Sequence, residues 1–152
     1  MQQCFRSVAL FKKLIGDSAA YLVWRTAVES PWQFIVGSRL GRESFRETAI
    51  REVAWQLNLD RTKDFIVSSM AQLSKESFDA IDSSGRTVHL AVAFYPVYVY
   101  REEVFAVLDL SPGLRWVSSA EVCAGNTRDG EAIDPQVVAW IKKWDILPAW
   151  QH

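Results

Sequence analysis

WQFIVGSRLGRESFRETAIREVAWQLNL, residues 32–59, decides how the rest of the chain is read, because its period changes partway through. Residues 32–36 are apolar and aromatic enough for a strand. Residues 37–41 follow with two glycines, Gly37 and Gly41, able to take backbone angles closed to other residues. From residue 44 to 57 the spacing turns helical. Phe45, Ala49, Val53 and Leu57 recur every fourth position, with Ile50 and Ala54 beside them, which predicts one apolar helix face. Glu43 and Glu47 crowd the first turn, where carboxylates suit the helix dipole. Glu47 and Arg51 are four apart and are expected to pair on the exposed side. Asn58 suits the left-handed residue that ends many helices.

The polar positions of this segment are Gly37, then Glu43 after five residues, then Arg51-Glu52-Val53 after seven more. That spacing resembles the Nudix box, G-x5-E-x7-R-E-U-x-E-E-x-G-U, where U is apolar. The first half matches at every fixed position. In the second half Trp55 and Gln56 stand where two glutamates belong, and Asn58 stands where the glycine does. The flanks resemble the family as well. Trp24-Arg25 followed by Trp32-Gln33-Phe34 is similar to a strand ending in arginine and then W-x-F-P-G-G, with Ile35 and Val36 at the proline and first glycine. Leu114-Arg115-Trp116-Val117-Ser118-Ser119-Ala120-Glu121-Val122 looks like the tail in which a tryptophan-valine strand leads into a short acidic helix. The resemblance implies one α/β domain over residues 1–152, an α/β/α sandwich with a mixed β-sheet between helices. It also implies a loop–helix–loop active site hydrolysing nucleoside diphosphates linked to another moiety, with Mg²⁺ or Mn²⁺ as cofactor.

Hydrolysing a pyrophosphate requires a divalent cation held against negative oxygens and an activated water, and hard cations want several carboxylate oxygens at fixed geometry. The resemblance assigns Glu52 as a metal-binding, catalytic carboxylate, and Gly37, Glu43 and Arg51 as structural support of the box. The other two metal positions fall on Trp55 and Gln56, neither of which supplies a carboxylate. With one charge left of three, Mg²⁺ is expected to bind weakly, through the substrate if at all. Glu47 is no replacement, since five residues turn the helix by about 140° relative to Glu52. Glu102, Glu103, Asp109 and Glu121 are the remaining candidates to restore the site from beyond residue 100. Arg39 and Arg42 are the best candidates to grip phosphate, since guanidinium matches it bidentately. Trp55 and Gln56 are further ligand-binding candidates, and Trp55 is open to three readings: a platform for a base or sugar, a plug in the vacated metal pocket, or a contact for a partner protein.

Composition narrows the function. Seventeen basic residues against 18 acidic ones argue against a nonspecific nucleic-acid or membrane binder. Cys4 and Cys123 belong to no CxxC or Cys/His cluster, so neither a zinc site nor a disulfide framework is expected. No apolar run reaches membrane-spanning length and the first residues do not follow a signal-peptide pattern, so a cytoplasmic protein is expected.

Further strands are predicted at 8–11, 20–25, 64–69, 78–81, 87–100, 104–110 and 115–117, with an edge, bulge or break at Pro96. Residues 83–85 read as a turn and 118–122 as a short helix. A last helix is capped by Asp134, opened by Pro135 and stopped by Pro148, with Trp140, Trp144 and Trp150 docking it. His89 reads as a hydrogen-bonded core or sheet-face residue.

The resulting expectation is a Nudix-like domain with a degraded metal site, weak or inactive in hydrolysis, that binds a nucleotide-like ligand or a protein partner. The alternative is an active Mg²⁺- or Mn²⁺-dependent hydrolase whose missing carboxylates come from the late acids.

Overall fold

In the computed structural model, residues 3–81 and 84–147 are described. Ser83, Pro148, Trp150 and His152 lie outside them. In chain order the elements are β1 (Gln3–Ile15), β2 (Ser18–Trp24), β3 (Ile35–Ser38), α1 (Phe45–Leu57), β4 (Phe65–Val67) and β5 (Leu73–Ile81). They continue with β6 (Thr87–Val99), α2 (Glu102–Asp109), β7 (Leu114–Ser118), α3 (Ser119–Ala124) and α4 (Pro135–Lys143). The chain is mixed α/β and divides into two compact units, one of Met1–Ala9 with Ile35–Tyr98, the other of Leu10–Phe34 with Val99–His152. Strand β1 gives its first part to one unit and the rest to the other.

In the first unit β3 pairs antiparallel with β1, from Arg6 opposite Ser38 to Ala9 opposite Ile35. β6 lies next to β4, and β5 pairs antiparallel with β6 through a register shift between Lys75 and Phe78. The capping box of α1 holds its start: the Glu47 amide donates to Ser44 Oγ (3.1 Å) and the Ser44 amide to Glu47 Oε1 (2.9 Å). Glu47 is thereby committed to the cap and does not pair with Arg51, contrary to the i,i+4 expectation. Asn58 ends the helix at φ 54°, in the left-handed region.

The buried side of α1 is Thr48, Ala49, Ile50, Glu52 and Val53, while Phe45 and Leu57 stay partly exposed. The apolar stripe expected from the sequence therefore holds in the middle of the helix, and two polar residues share its buried side. The Ser7 hydroxyl ties β1 to the helix start by donating to the Phe45 carbonyl (2.7 Å). Arg46 ties the helix to the end of β4 through the Val67 and Ser68 carbonyls. Val8, Val53, Phe65 and Phe94 are each at most 1% exposed in this unit's core.

Three local readings change. β6 runs unbroken through Pro96, whose carbonyl still accepts from the Ser68 amide (2.9 Å), since proline lacks only the donor. β3 starts at Ile35; Trp32 and Gln33 make only isolated bridges, to Ile133 and Trp24. Residues 104–110, expected as a strand, lie mostly in helix α2. Val104 and Leu108, four apart, are buried there, while Ala106 and Leu110, which an alternating strand would bury with them, are exposed.

In the second unit β2 pairs antiparallel with β1 on one side and β7 on the other. α3 opens with a capping box of its own, Ser118 with Glu121, and α4 opens at Asp134 and Pro135 as expected. Trp140 and Trp144 stack at 6.2 Å. Phe11, Leu22, Val117 and Ile141 are fully or almost fully buried. Among the described residues, no helix is long and apolar enough to cross a membrane.

Candidate functional site

All of the box lies in the first unit, and its geometry starts at Gly37. A methyl group there would overlap Glu52 Cγ and come within 3.0 Å of its Cδ and 3.2 Å of Thr48 Cγ2. Gly37 sits inside β3 without a positive φ; Gly41 alone takes the left-handed conformation in this loop (φ 54°). The expectation that Gly37 uses backbone angles closed to other residues is therefore corrected: glycine is needed there for close approach of the strand to Glu52.

Arg51 is the hub. Its Nε and Nη2 donate to Glu43 Oε2 (2.8 Å) and Oε1 (3.1 Å), a two-point pairing, and Nη2 also reaches the Ser38 carbonyl (2.8 Å). Its Nη1 donates to Glu52 Oε1 (2.5 Å). Glu43 accepts further from the Leu40 amide (2.9 Å) and Thr48 Oγ1 (3.1 Å). The Arg51 hydrogen bond, with the Leu40 amide next, holds the Glu43 carboxyl down at about 2. Pairing with Glu43 pushes the Arg51 guanidinium above its ordinary value. The loop-holding half of the box is thus built from Glu43 and Arg51 as read, with Thr48 and the Ser38 carbonyl as members the sequence did not flag.

The other half is organised around Gln56. Its Nε2 donates to Glu52 Oε2 (2.6 Å) and lies 3.4 Å from the Val36 carbonyl. The carboxylate and the strand carbonyl thus converge on one side-chain N–H. Turning the amide over would press Oε1 against the carboxylate, so the donor orientation is the favourable one. Gln56 Oε1 is buried with no hydrogen-bond partner, and Glu52 is 9% exposed with each oxygen already accepting a donor of the chain.

The divalent cation implied by the fold does not fit this donor set. Mg²⁺ demands near-octahedral oxygen ligands, and beside Val36 the residues present supply one carboxylate, Glu52, which is ion-paired to Arg51 and hydrogen-bonded by Gln56. Among the described residues, no three His, Cys, Asp or Glu side chains come together. The late acids are engaged or solvated within the second unit. Glu121 accepts from the Ser118 (3.0 Å) and Arg128 (2.8 Å) amides, and Asp109 binds Lys13 (3.2 Å) and Trp116 Nε1 (2.7 Å). Glu102 and Glu103 are exposed in the first turn of α2.

Trp55 is 76% exposed and fills no space beside Glu52; Gln56, four residues after Glu52 and one turn along the helix, does. Arg39 stacks its guanidinium 3.5 Å from the centre of the Phe5 ring, and Arg42 is exposed. His89 lies on the sheet with Nδ1 2.9 Å from Asp79. Both cysteines are free.

The second unit holds an ion-pair cluster that sequence reasoning missed. Arg25 stacks on Trp32 (4.1 Å) and binds Glu131 (2.7 Å), while Arg115 binds Asp129 (2.9 Å) and Glu131 (3.3 Å). Arg115 holds the Asp129 carboxyl at about 2. Arginine at the end of β2 was a visible signal, but its acid stands 106 residues away in a loop of no evident pattern.

No protein-family model matches this sequence, and no curated protein does. Solved structures do. A Nudix hydrolase from M. smegmatis, RenU, aligns at a TM-score of 0.56 with 16% identity, covering 93% of this chain and 84% of its own. The C. elegans Ap4A hydrolase aligns at 0.58 with 10% identity, covering 96% and 98%. Shewanella oneidensis NrtR complexed with a 27mer DNA aligns at 0.53 with 10% identity, covering 91% of this chain and 59% of that one. These likenesses give the chain the Nudix fold.

Proposed function

We propose that this chain is a Nudix-fold domain without metal-assisted hydrolysis, serving to bind a nucleotide-like ligand or a protein partner on the face around the box. The observation that carries this reading is the Gln56 amide between the Glu52 carboxylate and the Val36 carbonyl. On this reading the N–H donor takes the place a cation would need for hydrolysis, and Glu52 shares the Arg51 guanidinium with Glu43. Nothing remains there to lower the pKa of a water or to bridge two phosphates. The exposed groups nearby are those of a binding surface: Trp55 presents an indole to solvent and Arg42 a guanidinium. DNA belongs to the NrtR complex, and the near-balanced charge of this chain favours a small ligand or protein instead. A cytoplasmic setting suits this reading.

The test is turnover of a panel of nucleoside diphosphate derivatives with Mg²⁺ or Mn²⁺, alongside thermal melting with the same compounds in EDTA. No turnover, with a raised melting temperature for at least one compound and no metal, is the expected result for a ligand-binding domain. Absence of both turnover and stabilisation points to a protein partner, for which Trp55 is the contact. Metal-dependent turnover abolished by Glu52→Gln would overturn the proposal.

A further inference from the structure

The second unit contains a cavity of about 680 Å³ with no residue from the box, within the range of roughly 300–1,000 Å³ usual for small-molecule sites. Side chains are small where β2, β7 and α3 meet: Ala20 on the strand, on the same face as Ser118 and Trp116, and Ala120 and Ala124 on the helix. Trp116 lines the same space. Its indole is fixed before any ligand arrives: Nε1 donates to Asp109 (2.7 Å), Phe105 meets it edge-on at 5.7 Å and Phe11 tilts against it at 6.2 Å. Lys13 Nζ lies 5.4 Å from its ring centre and is itself held by Asp109. An aromatic wall already ordered costs little entropy on binding.

Charge at the rim is uneven. The exposed Arg128 guanidinium lines the cavity and pairs with none of the described residues. Glu121 also lines it, but its two oxygens already accept backbone amides of Ser118 and Arg128.

From the fixed indole, the alanine-lined space and the exposed Arg128, which has no acidic partner among the described residues, we infer a binding site for a small flat aromatic molecule bearing one anionic substituent, carboxylate or phosphate. The ring packs in the hollow beside Trp116, and the anion meets the Arg128 guanidinium. The site lies wholly in the second unit and stands or falls separately from the reading of the box.

Calorimetric titration of the full chain tests it with 2-naphthoate, adenosine 5′-monophosphate and the uncharged 2-naphthamide. Saturable one-site binding of at least one anionic probe is expected. Ala120→Leu, which fills the hollow from the helix, should raise its Kd at least ~tenfold. Arg128→Gln should raise the Kd of the anionic probe about three- to tenfold while leaving 2-naphthamide unchanged. If Ala120→Leu does not fold, Ala124→Leu at an exposed position of the same wall replaces it. Binding by neither anionic probe, or binding indifferent to either substitution in folded protein, would overturn the inference.

Discussion

The two halves of the box differ in what satisfies them. In the front half the acceptors of Glu43 and the donors of Arg51 find each other, the loop amide of Leu40 and the Ser38 carbonyl, so the loop is held by the chain's own groups. In the back half the Glu52 carboxylate and the Val36 carbonyl converge, and two acceptors facing one another need something positive between them. Gln56 supplies it as an amide N–H. The difference teaches that two converging acceptors can be satisfied by one neutral side chain as well as by an ion pair. It also explains why Glu52 is tolerated at 9% exposure: its charge is paired with Arg51 and its second oxygen is capped.

Substitutions that cut one half and spare the other sharpen this contrast. Arg51→Ala should have the largest effect, because it strips partners from Glu43, Glu52 and the Ser38 carbonyl together. We expect a loss of about 2–3 kcal/mol in urea unfolding, discounted from a fully buried pair because the side chains are partly solvated. A loss under half of that would mean the hub holds little. Gln56→Leu leaves Glu52 Oε2 buried without a donor and should cost about 1–2 kcal/mol, with no dependence on added Mg²⁺. Recovery of that loss by Mg²⁺ would show that a cation enters once the amide leaves.

Acid stability separates the halves in another way. Glu43 titrates at about 2 in the folded chain against an ordinary 4.5. Its contribution is therefore full above about 4.5 and lost as pH falls from there through about 2. Asp129 in the second unit, also held at about 2, acts in the lower part of that window. Glu43→Gln should flatten part of the fall in melting temperature between pH 4.5 and pH 2 and leave the remainder to Asp129→Asn. An unchanged acid limb in Glu43→Gln would place the titration elsewhere. Trp55→Ala should be the mildest change, under about 0.5 kcal/mol for an exposed position. It should nonetheless abolish binding of whichever nucleotide or protein uses this face.

The front half was readable from the sequence because its chemistry is local and regular. Glu43 and Arg51 lie eight residues apart on one loop and helix, and the capping residues Ser44, Glu47 and Asn58 are of the types their positions demand. Glu47 still misled, since a carboxylate three residues after a serine has two possible partners, and the cap amide was nearer than Arg51. The role of Gln56 was not readable, because an amide in place of a carboxylate reads as a loss until its donor is seen between two acceptors. The indole of Trp55 looked large enough to fill the gap, but one residue of helix turns it about 100° away from the strand. Residues 104–110 went astray as a strand because valine, phenylalanine and leucine outweighed Glu102 and Glu103, which mark a helix start. The Arg25 and Glu131 pair was invisible for a different reason: only tertiary structure joins positions so far apart.

Binding of Mn²⁺, followed by loss of the free-ion electron paramagnetic resonance signal, tests the central claim most directly. The unaltered chain should show no saturable site at millimolar ion, and Trp55→Glu combined with Gln56→Glu should create one that Glu52→Gln removes. A single submillimolar site in the unaltered chain, lost in Glu52→Gln, would contradict the account.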